Sequence, residues 1–218
     1  NCFFVFSNQS THDISLLSEP DYTVVPNVDN TEYDAAHMDR FTVDGVTMNM
    51  DSDYLTYAAY ESSMEACIAL GKWFDYLREN GLYDNTRIII VADHGNGLGQ
   101  FEDLLVDDLG FDAQAVNPIL LVKDFNSTGF TVSDEFMTNA DTPSLALEGI
   151  VENPVNPFTK NPIFQDIKSG DLNIYVSENV NIYTNNGARY YDPDAYWLTV
   201  HDNIYDDGNW SLYPGEPT

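Results

Sequence analysis

Residues 86–95 read TRIIIVADHG, an unbroken run of β-branched and apolar side chains that ends in a polar turn. Such a run lacks the alternation of a half-exposed strand, so it predicts a strand buried on both faces within a parallel sheet. In open α/β sheets the ligand-binding side chains gather at the carboxyl ends of the strands, which is where Asp93 and His94 stand. The segment therefore predicts both a fold class and the place of a site.

The sequence on either side predicts that this α/β pattern continues. Upstream, apolar side chains recur at three- and four-residue intervals over residues 51–77, and Asn80-Gly81 predicts the end of the helix. Downstream, residues 118–122 (PILLV) predict a second buried strand, and a helix is expected at residues 142–147 with Asp141 as its cap. The order of these elements predicts a mostly parallel sheet flanked by helices.

The two ends of the chain differ from this central pattern. Residues 2–6 (CFFVF) predict a buried strand, and because such a strand needs neighbours, we expect an α/β domain over residues 1–150 that is incomplete at its N-terminus. Residues 22–51, which are polar and broken by proline and glycine, predict a long surface excursion of low regularity. Residues 151–218 carry Asn-Pro breaks and short tyrosine-rich segments, which predict a small antiparallel β appendage packed on the domain.

Composition excludes several classes of function. Asp and Glu number 36 against 8 Lys and Arg, and the resulting formal net charge of −28 would repel nucleic acid. Hydrophobic residues make up 43% of the chain, which predicts a folded protein rather than an acidic disordered one. No apolar run reaches the roughly 18 residues that span a bilayer. Cys2 and Cys67 could form a disulfide, although a buried thiol is the commoner role for Cys67 on the apolar side of a helix.

The adjacent residues Asp93 and His94 predict a metal site. A carboxylate oxygen and a neutral imidazole nitrogen are ligands for zinc, manganese and similar divalent ions, and Gly95 allows a sharp backbone turn beside them. Zinc normally takes four ligands, so the others must come from elsewhere in the fold. The alternative is a turn carboxylate next to a hydrogen-bonded imidazole, without any metal.

The context of this turn resembles a known signature. The apolar strand, the Asp-His-Gly turn and the loose loop at residues 96–100, preceded by a helix, resemble sulfatases, phosphoethanolamine transferases and lipoteichoic acid synthases of the alkaline phosphatase superfamily. Residues 139–147 are similar to the stretch that leads into a helix in sulfatase-like proteins. Phosphoethanolamine transferases commonly have Glu where this chain has Asn96, which disfavours that subgroup.

The resemblance implies a site and its chemistry. Asp93 and His94 would bind one divalent metal ion (manganese, magnesium, calcium or zinc). His12, which follows the first apolar segment, would contact the anionic group of the substrate or act as an acid. The nucleophile and the first acidic metal ligand of the superfamily would lie upstream of this chain, so the chain alone is expected to be inactive.

The resemblance also implies a function and a location. We expect part of a metal-dependent enzyme that cleaves or transfers a phosphate or sulfate ester, nearest to the sulfatase-like and lipoteichoic acid synthase-like membrane enzymes of bacteria. The catalytic domain would then face the extracytoplasmic side of the membrane, held by a preceding region, and act on an anionic ester that is lipid-linked or part of a glycan. The alternative is a non-catalytic acidic extracellular module that binds glycan or protein.

Overall fold

A computed structural model describes residues 2–50, 54–164, 170–176 and 195–213 of the 218-residue chain. The chain divides into two compact units. The first unit consists of Asn1–Ile88, Leu98–Phe101 and Val122–Thr128, and the second of Ile89–Gly97, Glu102–Leu121 and Gly129–Thr218. The division into domains after Ile150 stays a prediction.

Helices and short strands make up the regular structure of the described residues. The helices are α1 (Thr31–Ala36), α2 (Tyr54–Glu79) and α3 (Thr142–Leu147). The strands are β1 (Thr42–Val43), β2 (Val46–Thr47), β3 (Ile88–Val91), β4 (Leu105–Val106), β5 (Phe111–Asp112), β6 (Leu120–Lys123), β7 (Leu172–Val176), β8 (Tyr196–Val200) and β9 (Trp210–Leu212). They pair as β1–β2, β3–β6, β4–β5 and β7–β8–β9. The chain thus has the predicted mixture of helices and strands.

The long helix α2 is the main element of the first unit. It covers 26 residues and ends before Asn80 and Gly81, as the sequence predicts. Gly81 has a φ of 65°, the left-handed conformation that glycine adopts at helix ends without a steric penalty. The predicted first residues of the helix, 51–53, lie outside the described residues. Among the described helices, including α2, none is long and apolar enough to cross a bilayer.

The predicted parallel sheet is not found among the described strands. Two backbone hydrogen bonds beside the β3–β6 pair give its direction. The amide of Asn126 donates to Asp84 O at 2.8 Å, and the amide of Ala92 donates to Ile119 O at 3.1 Å. From Asp84 to Ala92 the residue number rises along β3, whereas that of the partner falls from Asn126 to Ile119. The two segments therefore run antiparallel. The other pairs with a defined register, β1–β2, β4–β5 and β7–β8–β9, are antiparallel as well.

The burial of the side chains in β3 and β6 differs from that of a strand covered on both faces. Ile88 is buried in β3, but Val91 at the other end of that strand is exposed, as are Leu121 and Val122 in β6. These strands are therefore partly open to solvent rather than covered on both faces. An apolar run without alternation indicates two covered faces only where other layers supply the cover.

The first apolar segment also departs from its prediction. Residues 2–6 form no strand, and the side chains of residues 3–6 are 71–82% exposed. The ring of Phe6 lies edge-on to Trp73 of α2, with 6.4 Å between ring centroids. Cys2 and Cys67 are both exposed free thiols, so the predicted burial of Cys67 is wrong.

The second unit contains the predicted antiparallel structure beyond Ile150. Strands β7, β8 and β9 form a three-stranded antiparallel sheet in which Leu198 and Val200 are fully buried. Trp210 of β9 packs against Phe111 with 5.6 Å between ring centroids. Another of the tyrosine-rich segments from which the appendage is predicted, residues 181–184, lies outside the described residues.

Candidate functional site

The Asp93-His94 turn follows β3 directly and lies in the second unit. Backbone contacts hold it on both sides. Before the turn, the amide of Ala92 donates to Ile119 O at 3.1 Å. After it, the amide of Gly95 donates to Ala115 O at 2.9 Å. A Cβ atom on Gly95 would lie 1.9 Å from Gln114 O. Glycine is therefore required here because another backbone approaches closely.

The side chains of Asp93 and His94 extend into solvent, and they are 91% and 67% exposed. His94 Nδ1 lies 2.6 Å from the carbonyl oxygen of Gly95. Since a carbonyl oxygen can only accept, Nδ1 carries a proton, and in the neutral form of the ring the lone pair therefore lies on Nε2. Nε2 lies 3.9 Å from Asp93 Oδ2. A nitrogen lone pair and a carboxylate oxygen thus stand side by side.

This arrangement fits two ligands of one divalent ion. Two ligand atoms at ordinary zinc distances in tetrahedral geometry are about 3.4 Å apart, so only a small side-chain rotation separates the observed 3.9 Å from a chelating pair. A metal-binding histidine typically donates its other ring N–H to a carbonyl or carboxylate, as His94 does to Gly95 O. Within the described part of the chain, no third His, Cys, Asp or Glu joins the pair.

Asn139 contacts the same turn, and sequence reasoning missed it. Its side-chain Nδ2 donates to Ala92 O at 3.0 Å and to Asp93 O at 2.8 Å. Residues 139–147 were expected only to lead into a helix, and no site residue was predicted among them. Nothing in a single sequence distinguishes this asparagine from the many others in the chain, because its contacts lie 46 and 47 residues away.

His12 belongs to the first unit, whereas Asp93 and His94 belong to the second. The imidazole of His12 is 68% exposed, and its Nδ1 lies 3.1 Å from Asp13 Oδ1. The structure therefore brings Asp93 and His94 together, and the role of His12 toward a substrate stays a prediction.

The first unit contains a buried ionic cluster that joins Glu19 to the excursion at residues 22–51, which was predicted to be irregular. Arg40 donates to Glu19 Oε2 at 2.7 Å and also to Asp34 Oδ1. The Glu19 side chain is fully buried. Burial raises the pKa of Glu19, and the Arg40 guanidinium opposes that shift. The guanidinium also lies 4.0 Å above the Phe41 ring, so Arg40 ties the excursion to an aromatic core.

Glu61 of α2 is a second buried acid in that unit, with 1% of its surface exposed. Its carboxylate accepts hydrogen bonds from the Leu17 amide and from Asn30 Nδ2. Burial raises the pKa of Glu61, while these two hydrogen bonds lower it in part. The predicted helix correctly included Glu61, but amphipathic spacing alone gave no reason to expect a buried carboxylate.

Comparison with known proteins indicates a class rather than an individual function. One relative is named as a member of the alkaline phosphatase superfamily, which is the superfamily that the Asp-His-Gly turn resembles. This relative is the multifunctional alkaline phosphatase superfamily protein PehA of Trinickia caryophylli, which is 32% identical over 95 residues. The match covers 43% of this chain and 18% of the relative, so the chain spans a small part of that protein's length. Neither a protein-family model nor a solved structure matches the chain.

The likeness supports a relationship to the alkaline phosphatase superfamily. It does not separate sulfatases, lipoteichoic acid synthases and other members from one another.

Proposed function

We propose that this chain is part of a metal-dependent enzyme that cleaves or transfers a phosphate or sulfate ester. Asp93 and His94 are two ligands of its metal ion. The observation that carries the proposal is the hydrogen bond from His94 Nδ1 to Gly95 O, because it leaves Nε2 free to bind beside Asp93 Oδ2. The superfamily named for the relative PehA supports the same reaction class.

The donor atoms favour particular metal ions. One imidazole nitrogen and one carboxylate oxygen suit zinc or manganese better than calcium or magnesium, which prefer oxygen ligands throughout. Such an ion supplies positive charge near the non-bridging oxygens of the ester and activates a hydroxyl nucleophile. Asp93 and His94 hold and orient it, and His12 contacts the anionic group or donates a proton to the leaving oxygen. The nucleophile and the other ligands belong to the rest of the parent protein, so this chain alone is inactive.

Within the superfamily, we place the parent among the sulfatase-like and lipoteichoic acid synthase-like enzymes of the bacterial envelope. Two features support this choice, because both resemble those enzymes: the Thr11-His12 element and the acidic excursion at residues 22–51. The substrate is an anionic ester that is lipid-linked or part of a glycan, and it is met at the extracytoplasmic face of the membrane. Attachment to the membrane is a property of the preceding region of the parent.

A second candidate function is a non-catalytic module that binds glycan or protein. It is favoured by the exposed aromatic side chains of Phe130 and Phe158, which are 81% and 91% exposed. Aromatic faces of this kind pack against sugar rings or apolar protein surfaces. This function needs no metal ion, so the two candidates differ in their response to metal removal.

The deciding experiment replaces His94 with alanine in the intact parent protein. Hydrolysis of p-nitrophenyl phosphate and p-nitrophenyl sulfate, measured after metal removal and after reloading, distinguishes the two esters. We expect His94→Ala to lower metal-dependent hydrolysis at least about 100-fold, because a ligand of the ion is lost. His201→Ala is the matched control, since His201 also lies beside an aspartate, Asp202, at 3.0 Å. Unchanged turnover of His94→Ala at normal metal loading would refute the proposal.

A further inference from the structure

The side-chain amide nitrogen of Asn139 donates to the turn that carries Asp93 and His94. A primary amide has two N–H donors. Both hydrogen bonds of Asn139 Nδ2 end on backbone carbonyl oxygens of this turn, on Ala92 O at 3.0 Å and on Asp93 O at 2.8 Å. The hydrogen bonds of Asn139 therefore act on the backbone of the turn and not on the side chains of Asp93 and His94.

One rigid peptide unit connects Asn139 to the Asp93 carboxylate. The carbonyl group of Asp93 and the amide of His94 belong to the same planar unit and point in opposite directions. Asn139 holds the carbonyl end, and at the other end the His94 amide donates to Asp93 Oδ1 at 3.1 Å. Rotation of this peptide unit would break both contacts together. With Oδ1 occupied, Oδ2 is the oxygen that faces His94 Nε2.

Asn139 itself lies on a braced segment. It begins a short 3-10 turn, Asn139–Asp141, which leads directly into α3. The Asp141 carboxylate is buried and accepts from the Thr138 amide at 2.7 Å. Ser144 Oγ donates to Asp141 O at 2.7 Å. The position of the asparagine is therefore set by hydrogen bonds on both sides of it, which is the support that a precise site requires.

We propose that Asn139 is a positioning residue of the metal site. By fixing the peptide unit between Asp93 and His94, it reserves Oδ1 for the His94 amide and presents Oδ2 to the ion. The part of this inference that concerns the ion rests on the proposed function. The fixed orientation of the peptide unit is a property of the chain itself and can be tested without metal.

The test compares two isosteric substitutions, Asn139→Asp and Asn156→Asp. Asn139→Asp keeps the size of the side chain but removes both donors and sets a carboxylate against two carbonyl oxygens. Asn156→Asp adds the same charge in the same unit, and its oxygen still accepts from the amides of Phe158 and Thr159, as the native Asn156 Oδ1 does at 2.9 and 3.1 Å. Asn139→Ala, which removes the donors without adding charge, is the second test variant.

The first measurement is amide hydrogen exchange of the 218-residue chain, followed by NMR without metal. We expect exchange of the His94 amide to become about tenfold faster in both Asn139 variants, because its hydrogen bond to Asp93 Oδ1 loses its support. Asn156→Asp should leave that exchange rate unchanged. If Asn139→Asp speeds exchange throughout the second unit, Asn139→Ala is the variant that decides. A His94 rate that stays at the wild-type value in both Asn139 variants overturns the inference.

The second measurement is a titration with Mn²⁺, a paramagnetic ion that broadens NMR signals near its binding site. The Asp93 and His94 signals should need about 10–100-fold more Mn²⁺ for the same broadening in the Asn139 variants than in the wild-type chain. A purely structural role would lower the melting temperature and leave this midpoint unchanged, which would overturn the role toward the ion. If the wild-type chain shows no broadening at these signals, the role of Asn139 toward the ion in this chain is overturned. The proposed function is decided separately by His94→Ala in the intact parent, because the other ligands of the ion lie outside this chain, and the exchange experiment still decides whether Asn139 positions the peptide unit.

Discussion

Replacing Gly95 with alanine tests whether the turn that carries Asp93 and His94 lies against the neighbouring backbone. The added Cβ would lie 1.9 Å from Gln114 O and 3.3 Å from Asn117 O. An ordinary non-bonded contact is about 3.5 Å, so the two segments must separate by roughly 1.5 Å. The contact atoms belong to the backbone, and they cannot rotate away as the end of a flexible side chain would.

The cost of this separation can be worked out from two contributions. Moving the turn breaks the hydrogen bond from the Gly95 amide to Ala115 O, which contributes about 1 kcal/mol. Forcing an extra methyl group into a packed site costs about 1–3 kcal/mol. The sum, about 2–4 kcal/mol, lowers the melting temperature of a chain of this size by about 4–16 °C.

Thermal unfolding followed by circular dichroism and calorimetry measures this change. Gly97→Ala is the matched control, because its Cβ would meet Asp112 Cβ at 3.4 Å, an ordinary contact distance. We expect the control to melt within a few degrees of the wild-type chain. If Gly95→Ala melts at the same temperature as Gly97→Ala, the turn does not lie against residues 114–117 and the reasoning is wrong.

Two further predictions concern the buried acids of the first unit. Arg40→Met removes the cation that faces the fully buried side chain of Glu19. Urea titration at neutral pH should therefore show a loss of about 3 kcal/mol in the free energy of unfolding. A loss below about 1 kcal/mol would contradict a stabilising role of the ion pair. Burial raises the pKa of Glu61 above the ordinary value of a glutamate, so the folded chain holds this proton more tightly than the unfolded chain. The Glu61 contribution to stability is therefore present at low pH and is lost as pH rises through the raised pKa, by at most about 1.4 kcal/mol per pH unit. Glu61→Gln should remove that decline. The free energy of unfolding of the wild-type and Glu61→Gln chains is measured by urea titration from pH 4.5 to 7.5, and parallel pH profiles for the two chains would refute the prediction.

Local signals in the sequence predicted local structure. The three- and four-residue spacing of apolar side chains located α2, and the apolar run before Asp93 located β3. The direction of the β3–β6 pair was not predictable in this way, because it depends on contacts such as that between Ala92 and Ile119, which are far apart along the chain. The prediction that residues 2–6 are buried was wrong for a related reason, since apolar side chains are buried only where another element packs over them.

The same distinction holds for the candidate site. Asp93 and His94 are neighbours in sequence, so one motif sufficed to propose them as a ligand pair. Asn139 is joined to Asp93 across 46 residues, and Arg40 to Glu19 across 21, so neither partner could be paired before a fold was known. A protonated Nδ1 on His94 likewise follows only from the position of the Gly95 carbonyl.

Gly95 and Asn139 support the same turn in different ways, and their variants should damage it differently. Gly95 allows the turn to lie against the backbone of residues 114–117, so a side chain there disturbs packing and lowers stability whether or not a metal ion is present. Asn139 is exposed, and its two hydrogen bonds compete with water, so its loss costs little stability. Its loss instead frees the peptide unit that directs the Asp93 carboxylate. Stability should therefore depend mainly on Gly95. At the proposed metal site, the geometry of Asp93 and His94 should depend on Asn139, because orienting two exposed side chains before an ion binds reduces the entropy lost on binding.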